Sequence, residues 1–217
     1  AIVVRAFGAI IKGNSQDFID VSPSSWYYDY VKKAVHMGAF IGNGNGYMYP
    51  DNFITREEII TVLARLVVLS SSDYSSLNKY PDKDEFSDWA KPYASALVAR
   101  KYVNGNEKGM VTPKANVTRA EFAQMMHNIF KNYFSYEGVY KSVTDGGVMV
   151  NKPGVELSDL IINGDLVIGD GVGYGTFKLN NVTVNGRILF RGGEKLVTLT
   201  KTTVKENIVI YDINGIV

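Results

Sequence analysis

The chain has 217 residues, 46% of them hydrophobic, and a formal net charge of +1. That content is enough for one or two domains with real cores, and the near-neutral charge gives no global field for binding nucleic acid. The absence of cysteine excludes disulfide scaffolds, thiolate metal sites and cysteine nucleophiles. No run approaches the roughly 18 apolar residues that would span a bilayer, and the N-terminus lacks a signal-peptide layout. We therefore expect neither a nucleic-acid partner nor membrane insertion.

The opening segment, 1–13, predicts the closing helix of a repeat. Val4-Arg5-Ala6-Phe7 aligns with Ala64-Arg65-Leu66-Val67, which ends the second helix of the first full module. This alignment places the start of the opening helix upstream of Ala1. We therefore expect the natural protein to contain three modules, of which this chain carries one helix and two full copies.

The first full module begins with a predicted helix and a loop. Ser22-Pro23 is typical of a helix start, and apolar residues then recur at helical spacing from Trp26 to a break at Gly38. The glycines and asparagines of residues 42–46 favour left-handed backbone, so this stretch predicts a loop.

The second helix of the module has a start signal and an apolar stripe. Thr55 and Glu58 predict a capping box, in which the threonine caps the helix and the glutamate reaches back. The predicted stripe, at helical spacing, consists of Ile59, Val62, Leu63 and Leu66. After it, residues 70–79 are rich in serine and asparagine and predict a linker.

A second copy of the module follows at one constant offset, which takes every landmark of the first copy to its counterpart. Its capping box is predicted at Thr118 and Glu121, with a stripe of Phe122, Met125, Met126 and Ile129. Modules repeated in this way usually assemble side by side and form binding grooves rather than catalytic pockets. The paired landmarks are Trp26 and Trp89, Gly42-Asn43 and Gly105-Asn106, Pro50 and Pro113, and Thr55-Arg56 and Thr118-Arg119.

From about Val139 onward the hydrophobic period changes from helical to alternating. Segments that begin at Leu160, Val182 and Val204 superimpose at two equal offsets, and each has two short β-branched runs joined by a tight corner. This pattern predicts a parallel β-solenoid, whose stacked coils bury Val, Ile and Leu. A β-sandwich is the alternative, although its hairpins would not require successive segments to look alike.

The duplicated module resembles the S-layer homology domain. That family's pattern is an aromatic-x-Asp start, a tryptophan, a Gly-containing loop, a proline and a Thr-Arg-Ala-Glu signature. Phe18-Ile19-Asp20 and Tyr80-Pro81-Asp82 match the start, and Thr118-Arg119-Ala120-Glu121 matches the whole signature. The resemblance covers roughly residues 1 to 134.

Two positions depart from the family's pattern. Glu57 stands where alanine is usual, which we interpret as a surface-compatible change. Lys101 takes the place of Gly38 in the second copy, which leaves the shape of that helix end open. The strand-rich remainder is similar, more weakly, to solenoid segments found downstream of such modules in some surface proteins.

The resemblance implies an α+β multidomain chain, in which a pseudo-threefold bundle of helical repeats precedes a parallel β-solenoid. It implies non-covalent anchoring of a bacterial surface protein to secondary cell-wall polysaccharide, often pyruvylated, through grooves between repeats. The implied location is extracellular, in the cell wall or S-layer of a Gram-positive-type bacterium. From the residues themselves we expect no enzyme activity, cofactor or metal. The expected divisions are 1–13 for the last helix of a first repeat, 14–70 for the second repeat, 71–134 for a linker and the third repeat, and 135–217 for the solenoid.

Arg56 and Arg119 are the strongest candidate ligand residues. Each follows a helix-capping threonine, where the helix dipole penalises a cation by a few tenths of a kcal/mol. Free N–H groups and a guanidinium at one helix start suit a planar carboxylate such as pyruvate. The structural alternative is that each arginine pairs with a nearby acid such as Asp20 or Asp82. These two aspartates belong to the aromatic-x-Asp start of the family pattern and are candidate ligand residues themselves.

The two tryptophans and two loop glycines complete the candidate set. Trp26 and Trp89, one per module, could stack on a pyranose ring, although their helical spacing equally suits core packing. We expect each ring to be shared between the core and a groove. Gly42 and Gly105 would allow close approach of a ligand or of the next module, and a plain turn would also need them.

Two other functions stay open. The solenoid could stack end to end with other surface-layer protein copies, because an uncapped coil exposes strand edges. A β-helical polysaccharide-degrading enzyme is disfavoured, since three coils are short for an extended substrate cleft. His36 and His127 lack catalytic or metal-ligand partners at useful spacing, and the acidic run 82–88 lacks the glycine and terminal glutamate of a calcium loop.

Overall fold

The computed structural model describes residues 1–13 and 17–211. The described residues form five α-helices, α1 (Ile2–Phe7), α2 (Tyr28–His36), α3 (Arg56–Leu66), α4 (Lys91–Ala99) and α5 (Arg119–Ile129). Short 3₁₀ helices lie at Ser75–Lys79, Lys83–Glu85 and Asp170–Val172. The strands are β1 (Asn132–Phe134), β2 (Gly138–Tyr140), β3 (Val148–Val150), β4 (Val155–Ile162), β5 (Leu166–Ile168), β6 (Thr176–Val184), β7 (Ile188–Phe190), β8 (Leu196–Thr200), β9 (Thr203–Val204) and β10 (Ile208–Ile210). Among the helices of these described ranges, none combines the length and hydropathy needed to cross a bilayer.

The chain divides into two compact units. One contains the described residues of Ala1–Asp17, Ser22–Gly38 and Phe130–Val217, and the other contains Phe18–Val21 and Ala39–Ile129. The first unit therefore holds α1, α2 and all the described strands, and the second holds α3, α4 and α5. Helices precede strands along the chain, as the α+β class predicts.

The strands of the first unit form a parallel β-solenoid. One sheet runs in the order β1-β3-β5-β7-β10 and the other in the order β2-β4-β6-β8, with β9 paired to β6. Every pairing between described strands is parallel. The solenoid prediction is therefore confirmed, and the antiparallel β-sandwich is wrong.

The coils stack so that equivalent apolar residues lie on one another. Leu160 pairs with Val182, as the first of the two predicted offsets requires, and Leu166 pairs with Ile188 in the same register. In the last coil, Val204 pairs with Val184 rather than with Val182. The second predicted offset is therefore wrong, because inward-facing residues set the register and the last coil is shorter than the one before. Fully buried side chains of this core include Val150, Leu157, Ile168, Phe177 and Leu179.

Helix α1 packs on the solenoid, and its helical prediction is confirmed. The Phe7 ring lies edge-on to Phe130 with centroids 5.8 Å apart, and Asn151 Nδ2 donates to the Ala6 carbonyl at 2.9 Å. Gly8 ends the helix at φ 72°, and a Cβ there would lie 2.6 Å from the Asn151 carbonyl oxygen. Both the left-handed backbone and the close contact require glycine.

Helix α2 begins later than its sequence predicts. The signal at Ser22-Pro23 predicts the start, but the helix begins at Tyr28. The Ser25 N–H binds the Ser22 carbonyl at 2.9 Å, and the Tyr28 N–H binds the Ser25 carbonyl at 3.0 Å. These short turns satisfy the backbone locally, so the intervening segment does not join the α-helix.

Both predicted capping boxes are present. The Glu58 carboxylate accepts the Thr55 N–H at 2.7 Å, and the Glu121 carboxylate accepts the Thr118 N–H at 2.8 Å. In return, each threonine hydroxyl accepts the N–H of its glutamate, at 3.4 Å and 3.2 Å. The two predicted stripes are buried, comprising Ile59, Val62, Leu63 and Leu66 in α3 and Phe122, Met125, Met126 and Ile129 in α5.

Two smaller features resolve open points of the sequence. Lys101 adopts φ 60° where Gly38 adopts φ 71°, so both helices end in the same left-handed conformation despite the substitution. The predicted linker contains the 3₁₀ helix Ser75–Lys79, whose Leu77 is buried. The linker is therefore packed against its own unit over part of its length.

Candidate functional site

Asp20 and Asp82 each brace the loop of their own repeat. Each carboxylate accepts two consecutive backbone N–H groups, which fixes the loop in place. Burial acts to raise the pKa of Asp20, but the hydrogen bonds from these amides outweigh it and lower that pKa below its ordinary value. The donors are Met48 and Tyr49 for Asp20, at 2.9 and 2.6 Å, and Val111 and Thr112 for Asp82, at 3.1 and 2.6 Å.

Gly42 and Gly105 lie under the aromatic residue that starts each repeat. A Cβ at Gly42, whose φ is +67°, would lie 2.5 Å from the Phe18 ring, and one at Gly105 would lie 2.9 Å from the Tyr80 ring. The plain structural explanation therefore accounts for both glycines. Contact with a ligand at these positions stays a prediction.

Arg56 is buried within the second unit, where the two repeats meet. Its side chain is 8% exposed, with Nε donating to the Val111 carbonyl at 2.7 Å and Nη1 donating to Glu121 Oε1 at 2.8 Å. Asp82 accepts the N–H of the same Val111, so the two candidate residues bind the carbonyl and the N–H of one residue. The structural alternative thus holds for Arg56, with Glu121 as the acid in place of Asp20 or Asp82.

The backbone of the first repeat continues this contact. The N–H groups of Arg56 and Glu57 donate to the carbonyls of Ala115 and Pro113 at 2.9 and 3.0 Å, and the Val117 N–H donates to the Ile54 carbonyl at 3.0 Å. The first turn of α3 thereby satisfies N–H groups that a helix start leaves free. These groups are consequently engaged by protein at α3.

Glu57 is a buried residue, so its interpretation as a surface-compatible change is wrong. Its carboxylate accepts the N–H and hydroxyl of Ser87 at 2.9 and 3.0 Å and forms an ion pair with Lys114. A buried carboxylate requires such partners. Sequence reasoning missed this cluster, and its only signal was the departure from the family's usual alanine.

Arg119 occupies the equivalent position in the second repeat but is exposed. It starts α5 one residue after Thr118, and within residues 1–13 and 17–211 no side chain pairs with its guanidinium. An exposed guanidinium beside a helix start can bind a carboxylate. Of the two predicted arginines, Arg119 is therefore the one available to an anionic ligand.

Trp26 lines an open groove in the first unit. Its indole is 76% exposed and meets the rings of Tyr27 and Tyr30 edge-on, at centroid distances of 5.6 and 6.3 Å. Core packing therefore does not explain this residue. The groove has a volume of about 350 Å³ and is lined by Pro23, Ser25, Tyr28, Asp29, Tyr30 and Lys33 around Trp26.

Trp89 is also exposed, at 50% of its surface, but its neighbours differ. Tyr27 corresponds to Ala90 in the second repeat, so one of the two edge-on rings is absent there. The other, Tyr93, lies under the guanidinium of Arg65 at 5.3 Å. Each indole is therefore more exposed than we expected for a ring shared between the core and a groove, and Trp26 is more exposed than Trp89.

The candidate residues are divided between the two units. Trp26 belongs to the first, and the other seven belong to the second, namely Asp20, Gly42, Arg56, Asp82, Trp89, Gly105 and Arg119. In the second unit, Val111 links Arg56 to Asp82. The aromatic and charged lining of the Trp26 groove was not predicted residue by residue, although the helical spacing of Trp26 and Tyr30 placed both on one face.

The acidic run of the second repeat does not form a metal centre. Asp82 faces the loop amides, and Asp88 pairs with Lys91 at 2.7 Å. Over the described ranges 1–13 and 17–211, no group of three His, Asp or Glu side chains has the arrangement of a metal site.

The family model of the S-layer homology domain matches residues 17–60 and 79–123. These segments contain the two capping boxes, the two bracing aspartates and both tryptophans described above. Both segments are therefore similar to S-layer homology repeats, and the solenoid lies outside them.

Several curated proteins are similar over the same region. A surface-layer 125 kDa protein of Lysinibacillus sphaericus is 29% identical over 54% of this chain, and a cellulosome-anchoring protein of Acetivibrio thermocellus is 26% identical over 67%. An amylopullulanase of Thermoanaerobacterium thermosulfurigenes is 26% identical over 60% of this chain. The matches span only 10%, 36% and 7% of those proteins, respectively.

Proposed function

We propose that this chain anchors a bacterial surface protein, without a covalent bond, to secondary cell-wall polysaccharide outside the cell. The exposed indole of Trp26 carries the proposal, because it lies in a groove beside two tyrosine rings and offers a flat face on which a sugar can stack. Relatives named for surface layers and for anchoring support it. The amylopullulanase matches over 7% of its length, so we propose no catalytic role and no cofactor.

The groove has the chemistry of a sugar site. The Trp26 face can stack on the apolar face of a pyranose, while Asp29, Lys33 and the tyrosine hydroxyls can bind its hydroxyl groups. Trp89 is the corresponding stacking residue of the second repeat. Asp20 and Gly42 fix the loop of the first repeat, and Asp82 and Gly105 fix that of the second.

The more specific part of the proposal is that the polymer carries pyruvate ketals. A pyruvate ketal carries a planar carboxylate, which an exposed guanidinium can bind through two parallel hydrogen bonds. Arg119 is exposed and fits this role, whereas the guanidinium of Arg56 is engaged by Glu121 and the Val111 carbonyl. We therefore assign the carboxylate contact to Arg119 and a supporting role to Arg56.

Co-sedimentation with purified cell-wall sacculi tests the function. Binding should be strong to intact sacculi and lost on sacculi whose secondary polymer has been removed by acid. Trp26→Ala should weaken binding about tenfold or more, and Arg119→Ala should weaken it only on pyruvylated polymer. Tyr136→Ala is the matched control, since Tyr136 is an exposed aromatic residue of the same unit that does not line the groove.

Three results would contradict all or part of the proposal. Equal binding to intact and stripped sacculi would remove the polymer as ligand. Unchanged binding by the Trp26→Ala protein would remove the groove as its site, and unchanged binding by Arg119→Ala on pyruvylated polymer would remove the ketal contact alone.

Self-association through the solenoid is the second candidate function. Ile208 and Ile210 of β10 are at least half exposed, whereas Ile188, the register partner of Ile208 in β7, is fully buried. An exposed apolar strand edge can pair with a second copy. Sedimentation velocity should then show dimers that disappear in Ile208→Lys. A monomer at every concentration would contradict this function.

A further inference from the structure

The loops that follow α2 and α4 share a pattern of hydrogen bonds but have different surfaces. Asn43 Oδ1 accepts the N–H groups of Asn45 and Tyr47 at 2.9 and 3.1 Å. Asn106 Oδ1 accepts the equivalent groups of Lys108 and Met110 at the same two distances. The bracing aspartates repeat as well, so the two loops form one scaffold present twice within the second unit.

Three aromatic residues of the first loop have no aromatic counterpart in the second. Tyr47, Tyr49 and Phe53 correspond, at the constant offset between the repeats, to Met110, Thr112 and Asn116. Tyr49 is 49% exposed, and Phe53 is exposed still further. Since the scaffold forms without aromatic residues in the second repeat, folding of the loop does not explain the tyrosines.

Tyr47 and Tyr49 form an ordered pair. Their ring centroids lie 5.7 Å apart, and the ring planes differ by 12°. Asn43 Nδ2 donates to the Tyr49 hydroxyl oxygen at 3.2 Å, which fixes the ring and leaves the hydroxyl proton available as a donor. The pair thus presents nearly parallel aromatic faces beside polar groups, the combination that stacks on a pyranose and binds its hydroxyls.

The backbone holds this pair in place at some conformational cost. Tyr49 has φ 52°, and Thr112 has φ 54°, in a region that residues other than glycine rarely adopt. Asp20 and Asp82 impose this conformation through their bonds to the loop amides. A threonine therefore fits the position, which makes Tyr49→Thr a substitution that the scaffold already tolerates.

The charge around the pair indicates the kind of ligand. Residues 39–54 contain one acidic residue, Asp51, and no lysine, arginine or histidine. A pyruvylated or phosphorylated sugar would find no cation on this segment. A neutral sugar needs only the aromatic faces, the Asn43 amide and the tyrosine hydroxyls.

We propose that Tyr47, Tyr49 and Asn43 form a platform for a neutral pyranose of a glycan chain, separate from the Trp26 groove and absent from the second repeat. The platform shares with the proposed function only the general class of ligand. Neutral wall glycan would bind here, and the charged ketal would bind at Arg119.

The test uses the full chain in a Trp26→Ala background, so that the first unit's groove does not contribute. Calorimetric titration with chitopentaose and cellopentaose, both neutral, should give binding, while an oligogalacturonate of similar length should bind at least about tenfold more weakly. The double substitution Tyr47→Met and Tyr49→Thr installs the residues of the second repeat. It should weaken binding of the neutral probes about tenfold, with an unchanged melting temperature.

Three outcomes would overturn the proposal. These are no binding of either neutral probe, equal affinity before and after the double substitution, or a change in self-association with no change in glycan affinity. The last would make the loop a protein contact. Each result is independent of sacculus binding by the wild-type chain, so failure of the platform and failure of the anchoring function are distinguishable.

Discussion

Arg56 of the first repeat donates to the capping-box carboxylate of the second, with 2.8 Å between Arg56 Nη1 and Glu121 Oε1. Glu121 thus caps its own helix and binds the arginine of its neighbour. Arg119, the counterpart of Arg56, has no such carboxylate among the described residues. One duplicated motif therefore joins two repeats through its first copy and leaves a cation exposed in its second.

This asymmetry predicts unequal losses of stability from two matching substitutions. Arg56→Ala removes donors from Glu121 and from the buried Val111 carbonyl, which should lower the free energy of unfolding by about 2 kcal/mol. Arg119→Ala should change it by less than about 0.5 kcal/mol, because the exposed cation opposes the helix dipole. Urea unfolding of both variants measures the difference. Equal midpoints would contradict the structural role assigned to Arg56.

Acid should weaken the contact between the repeats. Hydrogen bonds from Thr118, with the Arg56 charge in addition, outweigh burial and lower the pKa of Glu121 below its ordinary value of 4.5. A carboxylate with a lowered folded-state pKa stabilises the fold fully above its unfolded-state pKa, and that contribution is lost as pH falls through the folded-state value.

Unfolding measured between about pH 6 and pH 3 tests this pH dependence. Stability should fall less steeply with acid in Glu121→Gln than in the wild type. Thr118→Ala, which removes the hydroxyl that binds Glu121, should flatten the profile in the same direction. Identical slopes in all three proteins would show that Glu121 does not contribute.

Alanine substitutions at two loop glycines distinguish the cost of backbone strain from the cost of a steric clash. Gly42 and Gly44 have φ of +67° and +83°, but a Cβ at Gly42 meets the Phe18 ring at 2.5 Å, whereas one at Gly44 meets nothing within 4 Å. Gly44→Ala should cost about 1 kcal/mol from strain, and Gly42→Ala about 3 kcal/mol from strain and overpacking. Thermal unfolding measures both, and equal losses would contradict the Phe18 contact.

The solenoid contains an ion pair that should dominate its local stability. Asp165 Oδ1 accepts the Arg187 N–H at 2.9 Å, and its Oδ2 accepts Nη2 at 2.7 Å, with both side chains buried. Asp165→Asn should destabilise the fold by about 3 kcal/mol, because it removes the negative charge that faces the buried guanidinium. The double substitution Asp165→Leu and Arg187→Met should lose less. A smaller loss in the single variant would contradict this role.

The sequence predicted those features that depend on nearby residues. The capping boxes at Thr55 and Thr118, the stripes of α3 and α5 and the glycine-rich loop all follow from short-range hydrogen bonds and helical period. The parallel solenoid also followed, because each coil repeats the one before it. The offset of the last coil was not predicted correctly. Its register depends on the pairing of Ile208 with the buried Ile188, and not on the similarity of the segment starts.

The candidate site was predictable in its residue types but not in their roles. Trp26 and Arg119 are exposed, as ligand residues must be, whereas Arg56 is buried and Glu57 lies in a cluster with Ser87 and Lys114. Burial depends on which segment packs against a residue. For Arg56 that segment is residues 111–117, more than fifty positions along the chain.

The sequence by itself determined the duplication, the helix caps, the loop scaffold and the change from helical to solenoid period. Local hydrogen bonding and side-chain period fix these features, and both copies share them. Only the tertiary structure decided that Arg56 joins the repeats while Arg119 faces solvent, and that Trp26 lines a groove. Two copies with the same local sequence have different neighbours, and those neighbours determine burial, pairing and access to ligand.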